Sequence, residues 1–364
     1  MNWDQLLGHQ QPRDLLRRTL QRNRLAHTWL FAGPEGIGKK HFALLVAQSL
    51  FCERHPETDL DCCGACPGCR QVLAGSHPDL FVVTLPEGKR ELPIELFLGP
   101  PEKRGRAGLC HDLNQTPMSG RRKIAIIDDA DLLNDASANA LLKTLEEPPR
   151  NSLIILVASH PEAILPTIRS RCQVLRFAPL SIEDVEKILL TEQITDDPEA
   201  ARQSAALSGG SLAEATRLLD PSLRNLRTLI DRQLAAQPFN SVALTRAIQE
   251  ELENSPSDAS VQRNLMNWTL RFFVSFFQEL LLKITGEATE FRIPEVDTLL
   301  NRVDPDQMAT FDIVQEILER LMHAELDLDQ NASVPLLLEV LCDDIGRLLR
   351  RLPKPSQNVP RGTF

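Results

Sequence analysis

The sequence predicts an α/β domain built on a parallel sheet, followed by an all-α half, and three observations predict it. Five short apolar runs in the first half are separated by helical patterns; a glycine-rich loop follows the first run; and from about Ser181 onward apolar residues recur at three- and four-residue spacing instead. His27–Ala32 is the first expected strand, and Lys39–Phe51 the helix behind it. Further strands are expected at Leu80–Leu85, Lys123–Asp128, Leu153–Ser159 and Gln173–Phe177, runs suited to a sheet covered on both faces. Residues 87–106 carry Gly88, Pro93, Gly99, Pro100, Pro101 and Gly105 and read as an irregular excursion to which no function attaches. Helices are expected at Ile182–Glu192, Leu212–Leu219, Val242–Leu252, Val314–Leu321 and Val334–Leu349. The most apolar stretch, Leu265–Ile284, is interrupted by Arg271, Gln278, Glu279 and Lys283, which predicts an amphipathic buried helix rather than a membrane span. The expected organisation is a sheet domain over 1–178, a small helical domain over 179–237, a larger helical domain over 238–352 and a disordered Pro-rich tail over 353–364.

Composition narrows the function classes. With 364 residues, 42% of them hydrophobic, each expected domain can bury a core. Lys and Arg number 40 against 50 Asp and Glu, a net charge of −10, which argues against a free-standing DNA binder that relies on overall positive charge. Aromatic residues are 5% and Tyr is absent, a poor supply for a base-stacking surface. The N-terminus has no basic segment leading into an apolar run, so the cytoplasm is the expected compartment.

Two constellations carry chemistry. The first is Gly33-Pro34-Glu35-Gly36-Ile37-Gly38-Lys39-Lys40, a phosphate loop in which Gly33, Gly36, Gly38 and Lys39 match the G-x-x-x-x-G-K pattern while Lys40 stands where a Ser or Thr hydroxyl binds Mg²⁺. An ammonium has no lone pair to offer a cation, so Lys40 cannot take that role. The third strand ends in Asp128-Asp129, the position of the acids that orient a metal and polarise water; the second acid is Asp, one methylene shorter than Glu. A buried carboxylate deprived of its ion needs a partner, so Lys40 is expected to pair with Asp128 or Asp129, the bland alternative being a Lys40 pointing to solvent. Ser159, at the end of the fourth strand, is a candidate polar contact near the γ-phosphate.

The second constellation is Cys52, Cys63, Cys66 and Cys69, with Cys62 as a spare that could replace Cys63. In a cytoplasmic protein this spacing reads as a closed, structural Cys₄ zinc site, with an iron–sulfur cluster and free thiols as alternatives.

These residues, with Arg24-Leu25-Ala26-His27, His77-Pro78-Asp79, the segment from Asn139 to Pro149 and Ser170-Arg171-Cys172, resemble the delta-prime branch of the bacterial DNA polymerase III clamp-loader family. The resemblance implies a AAA+ type nucleotide-fold domain, a helical lid and a C-terminal helical collar that holds subunits in a ring. It implies that Arg171 is an arginine finger acting in trans on a neighbour's ATP, with Arg169 a weaker candidate. In the lid segment Gly210–Ala215, the family's motor subunits place an Arg where this chain has Ala213. The implied function is a largely non-hydrolysing subunit, with weak or absent ATP binding of its own. Its partners are the motor and clamp-opening subunits and, through the complex, the sliding clamp and primer–template DNA. Two alternatives stay open: an active ATPase of the same loader, and a zinc-containing nucleic-acid-binding protein with a relic phosphate loop.

Overall fold

The computed structural model describes residue 3 and residues 6–118, 121–254, 259–287, 293–305, 307–330 and 332–353. The expected tail over 353–364 lies, beyond Pro353, outside the described residues. The chain divides into two compact units, Met1–Ile194 with Gly209–Glu214, and Thr195–Ser208 with Ala215–Phe364.

The first unit runs α1 (Gln10–Gln21), β1 (Thr28–Ala32), α2 (Lys39–Leu50), α3 (Pro67–Leu73), β2 (Leu80–Val83), α4 (Glu95–Leu98), α5 (Leu109–Asn114), β3 (Lys123–Ile127), α6 (Asp135–Glu146), β4 (Ser152–Ala158), α7 (Pro166–Arg169), β5 (Gln173–Arg176) and α8 (Ile182–Thr191). All five expected strands form, in the order β2-β3-β4-β1-β5, every neighbouring pair parallel. Every residue of β1, β3 and β4 is buried, because helices cover both faces of these central strands. Phe42 on α2 meets Trp3, Phe31 and Phe177 edge-on at centroid distances of 5.2, 5.6 and 5.0 Å, which fixes the helix behind the phosphate loop to the sheet. Helix α6 starts on Asn134, whose side chain accepts a hydrogen bond from the Ser137 N–H at 2.9 Å, and stops before Pro148-Pro149. The 87–106 excursion holds α4 and a short 3₁₀ turn, and is stitched back by a bridge between Leu92 and Leu133.

Helix α9 (Pro198–Leu207) belongs to the second unit, and α10 (Leu212–Arg217) begins in the first. The second unit continues with α11 (Pro221–Ala235), α12 (Ser241–Asn254), α13 (Ala259–Thr285), α14 (Pro294–Leu300), α15 (Met308–Asp329) and α16 (Val334–Arg351). Trp268, Leu270, Phe272, Phe273 and Phe276, in the stretch expected to form an amphipathic buried helix, are buried in this unit's own core, with Leu265 packed partly buried against them. Among the described residues no helix is long and apolar enough to cross a membrane.

Candidate functional site: a phosphate loop, a cysteine cluster and an arginine edge

The phosphate loop leaves the carboxyl end of β1 and turns into α2 through Gly36 (φ +74°) and Gly38 (φ +93°), left-handed conformations that glycine adopts without a Cβ penalty. A Cβ on Gly36 would fall 2.3 Å from Ser211 Oγ and 2.6 Å from Ala213 Cβ, so the loop is closely covered there. The Leu212 N–H donates to the Gly36 carbonyl at 3.0 Å. The segment carrying Ser211, Leu212 and Ala213 is therefore packed on the loop backbone.

Lys39 is buried and turns its ammonium back on its own loop. It donates to the Gly33 carbonyl at 2.7 Å, to the Pro34 carbonyl and to Ser159 Oγ at 3.3 Å. An ammonium has three N–H donors, so each has a partner, and reaching a phosphate means giving one up. Burial lowers its pKa, opposed by the carboxylates of Asp131, Asp128, Glu35 and Asp129. Lys40 Nζ lies 3.0 Å from Asp128 Oδ2, the pairing expected from the residue types. Asp129 sits at φ +51°, and burial, then the neighbouring Asp128 and Asp131, raise its pKa. Asp131, to which the sequence reading gave no role, accepts from the Ser159 and His160 N–H groups at 3.1 and 2.9 Å and so ties the end of β4 to the turn after β3.

The cysteine cluster forms between the end of α2 and α3. The sulfurs of Cys52, Cys63, Cys66 and Cys69 all lie within 4.8 Å of one another. A single tetrahedral ion with metal–sulfur bonds of about 2.3 Å separates its sulfurs by about 3.8 Å, so these four can hold one metal ion. Backbone N–H groups of Ala65 and Cys66 pull the Cys63 thiol down to about 6, toward the thiolate a metal needs. The Cys66 N–H donates to Cys63 Sγ at 3.3 Å, and the Cys69 N–H to Cys66 Sγ at 3.4 Å. Cys62 stands outside the cluster, its thiol pushed up to about 11 by burial and then by Asp61, which settles the choice between Cys62 and Cys63 for this cluster. Gly68 is required: a Cβ there would meet the Phe51 carbonyl oxygen at 2.3 Å.

Arg171 lies between α7 and β5, at the amino end of the strands. Gln173 pairs with Trp29 at the start of β1, whereas the phosphate loop leaves its other end. With five residues in β1 at ~3.3 Å each, the arginine and the loop are separated by about 16 Å along the strand. The guanidinium donates to the Thr167 carbonyl at 2.8 Å and pairs with Glu146 at 2.8 Å, with 36% of the side chain exposed. A shallow cavity of about 490 Å³ beside it is lined by Ala26, His27, Glu146, Pro148, Ser170 and Arg171, so three sequence segments distant along the chain converge here. Glu146, the last residue of α6 before Pro148-Pro149, is the partner that sequence reasoning missed.

A parallel sheet in this order, with a phosphate loop after β1 and paired acids after β3, defines a AAA+ type P-loop nucleotide-fold protein. Residues 8–181 match the family described as DNA polymerase III, delta subunit. The chain is 35% identical over 232 residues to DNA polymerase III subunit delta' of Pseudomonas aeruginosa, covering 60% of this chain and 67% of that protein. It is 34% identical over 220 residues to the subunit delta' of Bacillus subtilis, covering 60% of this chain and 61% of that one. Among solved structures, a Thermotoga maritima DNA polymerase III gamma subunit-related protein is 18% identical, with 92% of this chain and 100% of that chain covered and a TM-score of 0.34. The chain belongs to the DNA polymerase III clamp-loader family, on its delta-prime branch.

Proposed function

We propose that this chain is a non-motor subunit of the DNA polymerase III clamp loader, the assembly that uses ATP on neighbouring subunits to open the sliding clamp and load it on primed DNA. In this reading Arg171 serves a neighbour in trans, where its guanidinium neutralises charge developing on the transferred phosphoryl group. The observation that carries the reading is the contrast within one sheet. At the carboxyl edge the donors of Lys39 and the charge of Lys40 are committed to internal partners, while Arg171 stands about 16 Å away along the strand, out of reach of its own loop. The chain's own ATP hydrolysis is then absent and its nucleotide binding weak, with Gly33, Gly36, Gly38, Lys39, Lys40, Asp128, Asp129 and Ser159 a degenerate site.

In the same proposal the ion held by Cys52, Cys63, Cys66 and Cys69 is zinc, in a structural role. Residues 179–237 act as a lid and 238–352 as a collar joining the other loader subunits, in the cytoplasm. Contacts with the clamp and with primer–template DNA are made as part of the complex.

The test is the steady-state ATPase rate of the cognate motor subunits assembled with clamp and primed DNA, comparing this chain with its Arg171→Ala form. Collapse of the rate with an inactive isolated chain supports the trans role; an unchanged rate makes Arg171 structural. The left-handed Gly36 and Gly38, which keep the shape of a phosphate loop, favour a second reading, an active ATPase of the same loader. Turnover by the isolated chain would put that reading first.

A further inference from the structure

We propose that the tip of the excursion between β2 and β3, residues Lys103, Arg104 and Arg106, is a contact site for the phosphate backbone of duplex DNA. The inference deepens the clamp-loader reading and rests on it for the identity of the nucleic acid.

The tip is a built element. Phe97, Leu92 and Leu109 anchor its base in the core of the sheet domain. Gly99 (φ +77°) and Gly108 (φ +88°) close the base: a Cβ on Gly99 would meet Ala107 Cβ at 2.9 Å, and one on Gly108 would meet the Gly99 nitrogen at 2.4 Å. The Gly105 N–H returns to the Leu98 carbonyl at 2.9 Å, and the Lys103 and Arg106 N–H groups close turns on Pro100 and Lys103, each at 2.9 Å. Pro100 and Pro101 stiffen the outgoing arm by fixing φ. The free ends of these closures are the side chains from Pro101 to Arg106, all exposed.

What this scaffold displays is charge. Among the described residues, Lys103, Arg104 and Arg106 have no ion-pair partner, and one carboxylate, Glu102, shares the tip. The chain as a whole carries −10, so its diffuse field repels a polyanion and any DNA contact must come from concentrated local cations. A protein partner is the less suited occupant, because binding energy at protein interfaces concentrates in buried aromatic or aliphatic anchors and the tip exposes no aromatic or large aliphatic side chain. Phosphate contacts need only charge and N–H donors, which is what the tip offers.

The test measures binding of a fluorescein-labelled primer–template duplex by anisotropy across a salt series, for the full-length chain alone and within the assembled loader. The comparison is with the Lys103→Ala/Arg104→Ala/Arg106→Ala form. Releasing the counterions of three phosphates contributes about 0.9 per contact to the slope of log affinity against log salt, so the variant's slope should be smaller by about 2.7. Between ~50 and 200 mM salt the parent should lose about 40-fold more affinity than the variant. The charge-conserving Lys103→Arg/Arg104→Lys/Arg106→Lys form should keep the parent's slope. Equal slopes for parent and alanine variant would overturn the proposal, and so would unchanged DNA binding with lost association of a partner subunit, which would identify an acidic protein surface instead. If the parent chain never enters a loader, the function proposed above fails, while the slope read on the chain alone still decides the loop.

Discussion

At the carboxyl edge of the sheet, Lys39 donates to Gly33, Pro34 and Ser159, and Lys40 closes on Asp128. At the amino edge, Arg171 donates to Thr167 and Glu146 and keeps 36% of its side chain in solvent. Moving Lys39 toward a ligand means breaking hydrogen bonds made by a buried charge, whereas an exposed ion pair such as Arg171–Glu146 is worth about 0–1 kcal/mol and exchanges partners readily. The same sheet thus keeps the buried Lys39 occupied and the half-exposed Arg171 available. What separates these two is burial, whereas Lys40, in a single partly exposed pair, resembles Arg171 more than it does Lys39.

The sharpest way to break this comparison is at the amino edge. Arg171→Ala should lower ATP turnover in the assembled loader by roughly 10³–10⁵ if the guanidinium is a finger, and Arg171→Lys should not restore it, because a point ammonium lacks the planar fork. Steady-state rates with saturating clamp and primed DNA decide this, with co-elution of the subunits as the control for assembly. Next in size is the cysteine cluster. Cys66→Ser should abolish stoichiometric metal by elemental analysis, while Cys62→Ser should keep it. A loss of ~3 kcal/mol in a domain of this size lowers the melting midpoint by about 6–12 °C. An unchanged midpoint in Cys66→Ser would sink the structural role. At the carboxyl edge, Lys40→Thr restores a hydroxyl at the cation position and should raise Mg²⁺-dependent ADP affinity about tenfold, ~1.4 kcal/mol; titration with and without Mg²⁺ showing no difference would remove the idea that Lys40 stands in for the ion. The smallest effect belongs to Asp128→Asn, which removes a partly exposed pair and should cost no more than ~1 kcal/mol by chemical denaturation.

How much of this was legible in the sequence follows from the range of the interactions. The strands were readable because β1, β3 and β4 are buried throughout and so are apolar without interruption. Ends were less so: the run read as Val314–Leu321 is the middle of α15, which extends over Met308–Asp329, and the exposed Met308, Met322 and Leu326 in its end turns blur the apolar spacing there. Helix α1 was not placed although Pro12, Leu16 and Leu20 recur at four-residue spacing on its buried face, because the Arg and Gln between them lower its average apolarity. The four sulfurs were legible because their spacing is local. The turning-back of Lys39, the cover of Gly36 by Leu212 and the Arg171–Glu146 pair depend on segments far apart in the chain, and a single sequence carries no term for such meetings.

The cysteines between residues 52 and 69 all precede β2. Their loops are short, so closing them costs little chain entropy. During synthesis from the N-terminus, the module therefore has every ligand it needs while β2, β3, β4 and β5 are still to be made. Capturing its ion at that stage would give the growing chain a fixed corner, beside the end of α2, before the sheet that α2 will cover exists.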